Sequence, residues 1–344
     1  MKTIDLTNKR VIISRTDSIG DVMLTLPLCA WIKEKFSGVQ IIFLGNNYTK
    51  SVIECFSAVD EFVDWKEIEN LPTVQRIDFL KELNADVLVH VFPRKEIASL
   101  AKKAKIAVRV GTSHRTFHLL TCTHRPSFTR KKSDLHESQL NFELLRPFGL
   151  SAVPDFDQII GYTKLFKSPS IELPAFISNK LNHSEKSVIL HPKSQGSAVE
   201  WGIEKYNQLA IELVKRGYTV FFTGTENEGA QFRSKILFTE NTIDTTGTLT
   251  LTQLIFFISK CQSLVACSTG PLHIAGYLNI RTIGLFSPRR PIHPSRWKAL
   301  GSDVHILVND EECEVCKKKK QCNCIEKISV EKVLHEIEEL TFAE

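Results

Sequence analysis

Residues 264–286 constrain the fold most strongly, because two short apolar runs there flank a small turn and a helix-compatible segment. The run Leu264–Ala266 is followed by Ser268-Thr269-Gly270-Pro271, by a helical pattern over 272–278 and by a second apolar run over 282–286. Hydroxyl groups at a helix start can cap free backbone N–H groups. A helix N-terminus without bulky side chains can also bind phosphate. The stretch predicts a strand–turn–helix–strand unit whose turn is either an ordinary cap or a phosphate site.

The start of the chain predicts a second unit of this kind. The β-branched run Val11–Ser14 precedes a polar turn over 15–21, a helical pattern over 22–36 and an apolar run over 40–44. Such crossovers connect parallel strands and favour an α/β fold with doubly wound sheets. The turn has one glycine and lacks the G-x-G-x-x-G pattern of dinucleotide-binding proteins. An NAD-dependent oxidoreductase is therefore the weakest interpretation.

Asp21 lies where the loop after the first predicted strand becomes a helix. Ligands of open α/β sheets bind at the carboxyl ends of the strands, where a carboxylate can act as a general base. An acid near a helix N-terminus can also simply interact favourably with the helix dipole. Its position alone leaves both roles open.

The alternation of strands and helices continues in both halves of the chain. Strands are predicted over 61–63, 87–91, 106–110, 188–191, 219–222 and 243–244. Residues 150–186 are rich in proline and serine, and we place an interdomain linker there. The 344 residues are enough for two domains. We expect an N-terminal domain over 1–165 and a C-terminal domain over 166–344, which ends in a cysteine-rich segment and an amphipathic helix.

The composition is typical of a soluble globular protein, with 42% hydrophobic and 24% charged residues. No run approaches the ~18 apolar residues of a membrane-spanning helix, and the N-terminal residues lack the apolar core of a signal peptide. We therefore expect a cytoplasmic protein. The nine cysteines are odd in number and mostly scattered, which argues against a disulfide framework.

Positive charge is concentrated over residues 94–132, which hold eleven basic residues and one acid. This local charge of +10 stands against −5 for the rest of the chain. The asymmetry suggests an anionic partner or a membrane surface, although a solvated basic face is the alternative. Nucleic acid is not expected, since no zinc-finger, RRM or helix-turn-helix pattern is present.

Two motifs could bind a metal ion. The cysteines of Cys313-x2-Cys316-x5-Cys322-x-Cys324 could bind zinc, although the C-x-C end is tighter than usual and they could instead be reduced thiols. Asp155-Phe156-Asp157 matches the D-x-D pattern of metal-dependent sugar transfer. We expect it in a loop or edge strand beside the linker, without the further oxygen ligands that a divalent cation needs. No cofactor and no catalytic metal are expected.

Several motifs follow one another along the chain: Arg15 with Gly20-Asp21-Val22 and Pro27, His191-Pro192-Lys193-x2-Gly196-Ser197-x3-Trp201, Gly224-Thr225-Glu226, and Ser268-Thr269-Gly270-x2-His273-Ile274-Ala275. Together they resemble the motifs of the heptosyltransferase-like glycosyltransferases, family 9. Each motif is weak alone, but the joint pattern is specific and covers the chain from Val11 to the C-terminal cysteines.

The resemblance implies a GT-B fold, in which two Rossmann-like domains face each other across a deep cleft. It implies an inverting, metal-independent transfer of a sugar, commonly heptose from an ADP-activated donor. The acceptor would be an anionic glycolipid such as the lipopolysaccharide core, reached at the inner face of the inner membrane by a peripheral protein. The basic stretch would then belong to the acceptor side, with contacts from Arg94, Lys102, Lys103, Lys105 and Arg115.

The resemblance also implies residue roles. Asp21 matches the proposed general base, Glu226 the acid that meets the donor ribose, and Leu249 the position where adenine packs. Binding of the diphosphate falls to Ser268, Thr269, Gly270 and His273, with Lys193 and Ser194 in the other phosphate-facing loop.

Two departures from the family pattern leave the donor sugar and nucleotide open. Many members carry Lys or Arg just before the tryptophan, where this chain has Val199 and Glu200, so Lys193 is a candidate for the missing charge. Many also begin the diphosphate turn with Asp, where Ser268 stands here. The alternatives are a sugar-nucleotide epimerase of the same fold and a catalytically silent sugar-nucleotide binder. An epimerase needs acid–base groups on the donor sugar that the sequence does not reveal.

Overall fold

The computed structural model describes residues 3–130, 133–310, 312–318 and 322–339. The chain divides into two compact units, Met1–Lys167 and Ser168–Glu344, which we call unit 1 and unit 2. Among the described residues, each unit contains one parallel sheet. The predicted α/β class with two doubly wound sheets is confirmed.

Unit 1 contains a five-stranded sheet in the order β3-β2-β1-β4-β5 within the described residues. Its strands are β1 (Arg10–Ser14), β2 (Gln40–Gly45), β3 (Glu61–Asp64), β4 (Val87–His90) and β5 (Val108–Val110). Every ladder is parallel, and Ile12 of the central strand lies between Ile42 and Leu88. The apolar side chains of β1 are fully buried, as expected for a parallel sheet covered on both faces.

The helices of unit 1 cover this sheet. They are α1 (Ile19–Met23), α2 (Leu26–Lys35), α3 (Lys50–Glu54), α4 (Trp65–Glu69), α5 (Thr73–Glu82), α6 (Lys95–Lys103), α7 (His118–Thr121), α8 (Glu137–Phe142) and α9 (Phe156–Gly161). The single helix predicted over 22–36 is wrong, because the chain breaks between α1 and α2. Pro27 lies in the first turn of α2, where its missing N–H is tolerated, whereas it would disrupt a helix interior.

The predicted linker is also more ordered than its composition suggests. Asp155 accepts a hydrogen bond from the backbone N–H of Gln158 at 2.8 Å, and the Gln158 side chain accepts one from the Asp155 N–H at 3.1 Å. This capping box starts α9. The expected loop or edge strand for Asp155 and Asp157 is therefore wrong, and the D-x-D pattern here begins a helix.

Unit 2 contains a six-stranded sheet in the order β11-β10-β9-β6-β7-β8 within the described residues. Its strands are β6 (Ser187–His191), β7 (Thr219–Phe222), β8 (Thr242–Asp244), β9 (Ser263–Cys267), β10 (Arg281–Leu285) and β11 (Val304–Leu307). Its helices are α10 (Ala175–Asn182), α11 (Ile203–Lys215), α12 (Glu226–Phe232), α13 (Leu251–Ile258), α14 (Gly270–Tyr277), α15 (Pro294–Trp297), α16 (Glu314–Lys317) and α17 (Val330–Glu338). The sequence did not predict β11.

The C-terminal segment is part of the core of unit 2. The buried indole of Trp201 donates a hydrogen bond to the Ile328 carbonyl at 2.9 Å, and Val333 and Leu334 of α17 pack into the same apolar cluster as Trp201. Tryptophan buries a large apolar surface and still satisfies its N–H this way.

A returning segment pairs with the outer side of β5. The backbone N–H groups of Thr123 and His124 donate to the Arg109 carbonyl, and the Gly111 N–H donates to the His124 carbonyl at 3.1 Å. The backbone groups of this outer strand are therefore partly paired. Among the described residues, none of the helices has the length and apolarity needed to cross a bilayer.

Candidate active site

Arg15 organises the carboxyl end of the first sheet. It follows β1 and is 3% exposed. Its Nε donates to Asp17 Oδ1 at 2.7 Å, and its Nη2 donates to Asp21 Oδ1. Its Nη1 lies 3.6 Å from Oε1 of Glu137, which is also buried. One guanidinium thus contacts three carboxylates, the arrangement for which its fixed fork of donors is suited.

Asp21 lies on α1 at this edge, with about 19% of its side chain exposed. Its Oδ2 accepts a hydrogen bond from the Ser18 hydroxyl at 2.5 Å, and its backbone carbonyl accepts one from Thr25 Oγ1 at 2.9 Å. One carboxylate oxygen is therefore fixed by Arg15, while the other already accepts from a hydroxyl. This geometry suits a group that must accept a proton from a substrate hydroxyl.

Side chains of helix α8 and Arg130 form further hydrogen bonds around the carboxylates that contact Arg15. Arg130 Nε donates to Glu137 Oε1 at 2.8 Å, and Arg130 Nη2 donates to Asn141 Oδ1 at 2.9 Å. Asn141 Nδ2 in turn donates to the Leu24 carbonyl at 3.1 Å, which lies in the break between α1 and α2. The sequence did not single out Glu137 or Asn141, because only the fold brings them to this point.

Burial and the neighbouring charges shift the pKa values of Asp17 and Arg15. Burial raises the pKa of Asp17 to about 6, and the nearby Asp21 carboxylate adds to this effect while Arg15 opposes it. Burial alone would lower the pKa of Arg15, but the carboxylates of Asp17, Asp21 and Glu137 raise it above its ordinary value. Arg15 therefore stays charged, and Asp17 can carry a proton at mildly acidic pH.

Several buried polar atoms at this edge have no hydrogen-bond partner within the described ranges. They are Ser14 Oγ, Thr16 Oγ1, both ring nitrogens of His90, and His118 Nε2. Ser14 and His90 are register partners on β1 and β4, and the rings of His90 and His118 stack with centroids 5.4 Å apart. Burial lowers the pKa of His90 to about 3, so this ring is neutral. Buried groups of this kind normally bond to water or to a ligand.

In unit 2, the predicted phosphate turn joins β9 to α14. Thr269 is the N-cap residue and has extended backbone angles. It is 7% exposed, and in the described part of the chain its Oγ1 has no hydrogen-bond partner. Ser268 and Gly270 flank it at half-buried positions, and His273 is buried on the first turn. The first backbone N–H groups of a helix have no partner within the helix, so this turn can bind an anion.

The loop after β6, which we predicted to face the phosphates, carries less free charge than Lys193 alone suggests. Lys193 Nζ donates to Glu200 Oε2 at 2.5 Å. Glu200 Oε1 accepts from both the backbone N–H and the hydroxyl of Ser194, each at 3.0 Å. Glu200 therefore orders this loop and neutralises the lysine that could have replaced the missing basic residue.

Glu226 starts α12, and its carboxylate is about 66% exposed. Arg233 donates to both of its oxygens, at 2.5 and 2.6 Å, and these hydrogen bonds lower the pKa of Glu226. Gly247 lies against it with φ +73°, and a Cβ at Gly247 would come within 2.6 Å of Glu226 Oε2. Only glycine fits there. Leu249 follows two residues later and is half-buried.

The basic stretch contains both half-buried residues, which contact other parts of unit 1, and exposed residues. Arg94 lies 3.4 Å from Glu69 and over the ring of Trp65, and Arg109 donates to backbone carbonyls. The exposed members named in the sequence analysis are Lys102, Lys103, Lys105 and Arg115. Lys131 and Lys132 lie outside the described residues.

Comparisons with known proteins agree with the family resemblance. The sequence profile of glycosyltransferase family 9 (heptosyltransferase) matches residues 83–326. A Haemophilus influenzae protein whose name only suggests a glycosyltransferase is 26% identical, over 96% of each chain. Lipooligosaccharide heptosyltransferase 2 of Campylobacter jejuni is 23% identical, over 94% of this chain and 96% of its own.

Solved structures match the fold. A family 9 glycosyltransferase from Veillonella parvula superposes with a TM-score of 0.76 at 19% identity, covering 97% of this chain and 98% of its own. ADP-heptose LPS heptosyltransferase II of E. coli gives a TM-score of 0.70 at 16% identity, covering 96% and 97%. The profile match spans well over half of the sequence, and the resemblance is confirmed: the chain belongs to glycosyltransferase family 9.

Proposed function

We propose that this glycosyltransferase transfers a heptose from ADP-heptose to a lipopolysaccharide-core or related glycolipid acceptor, with inversion at the anomeric carbon. The observation that carries the proposal is the fixed geometry of Asp21. Its Oδ1 is held by Arg15, and its Oδ2 accepts from a hydroxyl group at the carboxyl end of β1. The names of the relatives, which are heptosyltransferases, support the choice of donor.

In this mechanism Asp21 takes the proton of the acceptor hydroxyl. The acceptor oxygen then forms a bond to the anomeric carbon as the bond from that carbon to the diphosphate oxygen breaks. General-base assistance of this kind contributes about 10²–10⁴ in rate. The Ser18 hydroxyl, which lies 2.5 Å from Oδ2, would yield its place to the acceptor hydroxyl.

The nucleoside diphosphate leaves with the electron pair and gains negative charge. Backbone N–H groups at the start of α14 and the Thr269 hydroxyl supply donors for this charge, and preorganised donors of this kind stabilise a leaving anion. His273 lies on the same turn, and the small side chain of Ser268 and the absence of one at Gly270 leave room there for the diphosphate. Glu226 would accept hydrogen bonds from the ribose, and Leu249 would pack against the base.

Replacement of Asp21 by Asn tests the base assignment. Asp21→Asn keeps the shape of the side chain but cannot accept the proton, so we expect turnover to fall by about 10²–10⁴. Binding of ADP, measured by calorimetry, should be nearly unchanged. Asp78→Asn, which alters an exposed carboxylate of unit 1, is the matched control and should turn over like the wild type. A near wild-type rate for Asp21→Asn would refute the assignment.

Donor identity is tested by thermal shift with a panel of nucleotide sugars, in which ADP-heptose should raise the melting temperature most. Incubation of that donor without acceptor separates the alternatives. An epimerase would change the configuration of the sugar, a silent binder would leave it intact even when acceptor is added, and the proposed enzyme consumes it only with acceptor present.

A further inference from the structure

Four cysteine side chains of unit 2 converge on one point. The sulfur atoms of Cys313, Cys316, Cys322 and Cys324 all lie within 4.8 Å of one another. Cys313 Sγ is 3.6 Å from Cys322 Sγ, which is 3.1 Å from Cys324 Sγ. In a tetrahedral zinc site with Zn–S bonds of about 2.3 Å, the sulfurs lie about 3.8 Å apart. The spacing is therefore close to that of a tetrathiolate site.

These cysteines are not ordinary members of the apolar core. Cys313, Cys316 and Cys324 form a cluster of their own, with Cys322 packed against it, while the neighbouring Ile325 and Ile328 join the large core of unit 2. All four thiols are free. A small cluster made only of thiols gains little from apolar burial, whereas a metal ion would give each sulfur a strong partner.

The surroundings suit a closed metal site. The Ser287 hydroxyl lies 3.6 Å from Cys316 Sγ. Donors of this kind orient and stabilise thiolate ligands. Four thiolates and one divalent ion carry a charge of about −2, and residues 317–320 between the second and third cysteine are all lysine. Lys319 and Lys320 lie outside the described residues.

We propose that Cys313, Cys316, Cys322 and Cys324 bind one zinc ion as four thiolates. Each thiol releases its proton to solvent as its bond to zinc forms. Four protein ligands leave no open position, so the site is structural. It fastens the segment after β11 to Ser287, just beyond the end of β10, and β10 is the neighbour of the strand that leads into the phosphate turn.

The first test is the metal content of the full-length protein, purified without added metal or chelator. We expect about one zinc per chain, as for a closed Cys₄ site. Cys316→Ser and Cys322→Ser should lose this zinc. Cys55→Ser, which changes a half-buried thiol of unit 1, should retain it. Iron in place of zinc, or zinc retained by both cluster variants, would overturn the proposal.

A second test needs no variant and holds even if the serine variants fail to fold. Cobalt(II) exchanged into the wild-type protein should give the intense sulfur-to-metal charge-transfer and visible bands of tetrahedral thiolate coordination. Four thiols should also resist alkylation until a chelator is added. A protein that contains no metal, or that links these cysteines as disulfides when purified, would contradict the assignment. Neither readout depends on donor or acceptor.

Discussion

Asp17 contacts Arg15 next to Asp21, and its partial burial there makes the stability of the protein depend on pH. Burial raises the pKa of Asp17 from 3.8 to about 6 in the folded chain. Between these values the folded state holds a proton that the unfolded state releases. The contribution of Asp17 to the free energy of unfolding should therefore decrease as the pH rises from about 4 to about 6.

Replacement of Asp17 by Asn removes this titration. Relative to wild type, the free energy of unfolding of Asp17→Asn should increase with pH across that window, by up to about 2 kcal/mol, and level off above pH 6. Urea denaturation at a series of pH values measures the difference, with Asp78→Asn as a control that should show no such trend. A constant difference between Asp17→Asn and wild type from pH 4 to 7 would contradict the shifted titration.

Sequence position was enough to select Asp21 as a candidate, because the carboxyl ends of strands are where ligands bind in these folds. It was not enough to find Glu137 or Asn141, which meet Arg15 and Leu24 across more than a hundred residues. The ion pair between Lys193 and Glu200 was likewise not predicted, since the sequence separation of two loop residues does not show whether their side chains meet. Long-range polar contacts depend on the packing of the whole unit.

At the scale of elements, α6 and α7 carry the surface that we assign to the acceptor side. Helix α6 buries Ile97, Ala98 and Leu100 and ends in the exposed Lys102 and Lys103. Helix α7 packs against it and exposes two leucines. Leu119 is 58% exposed and Leu120 76%. Basic residues with exposed apolar side chains nearby are typical of proteins that bind anionic membrane surfaces.

Replacement of Lys102, Lys103 and Lys105 by Gln should weaken binding to anionic vesicles and raise the acceptor KM. Each well-placed lysine contributes about 1 kcal/mol near such a surface, and this part should fade at high salt. The donor KM should change little, because the phosphate turn lies in the other unit.

The matched control replaces Lys50, Lys66 and Lys81 by Gln. These lysines are exposed in the same unit, and their replacement removes the same charge. Binding that remains at high salt would belong to Leu119 and Leu120. Wild-type binding of vesicles and acceptor by the first triple variant would mean that the stretch is merely a solvated face.

Most strands were predicted within two residues, because buried parallel strands are continuous apolar runs. The break between α1 and α2 was missed, since the pattern over 22–36 is helical throughout apart from Pro27. The edge strand β11 was missed as well, because its four residues are half-buried and follow an irregular segment. The local pattern of apolar residues therefore predicts buried strands well, but it predicts short and partly exposed elements poorly.

At the scale of the whole molecule, we expect sugar transfer to proceed without an added divalent cation. Among the described residues, only the four cysteines hold three or more potential metal-ligand atoms close enough together to bind one ion. The carboxylates of Asp17, Asp21 and Glu137 do converge, but the guanidinium of Arg15 lies at their centre. A positive side chain already fills the place that a cation would need.

Initial rates measured directly after addition of EDTA, with no added Mg²⁺ or Mn²⁺, should equal those without chelator. Loss of activity that Mg²⁺ or Mn²⁺ restores would contradict a metal-independent reaction. A slow loss that accompanies unfolding and that only zinc reverses would instead point to the cysteine cluster.

The segment that returns beside β5 has a consequence for self-association. An outer strand with unpaired backbone groups can recruit a strand from another molecule, but here Thr123, His124 and Gly111 form backbone hydrogen bonds along that side. A protein gathered on a membrane surface is locally concentrated, which favours sheet-to-sheet aggregation. The covered edge lies within the same basic stretch that we expect to meet the membrane, so the molecules could crowd there and remain separate.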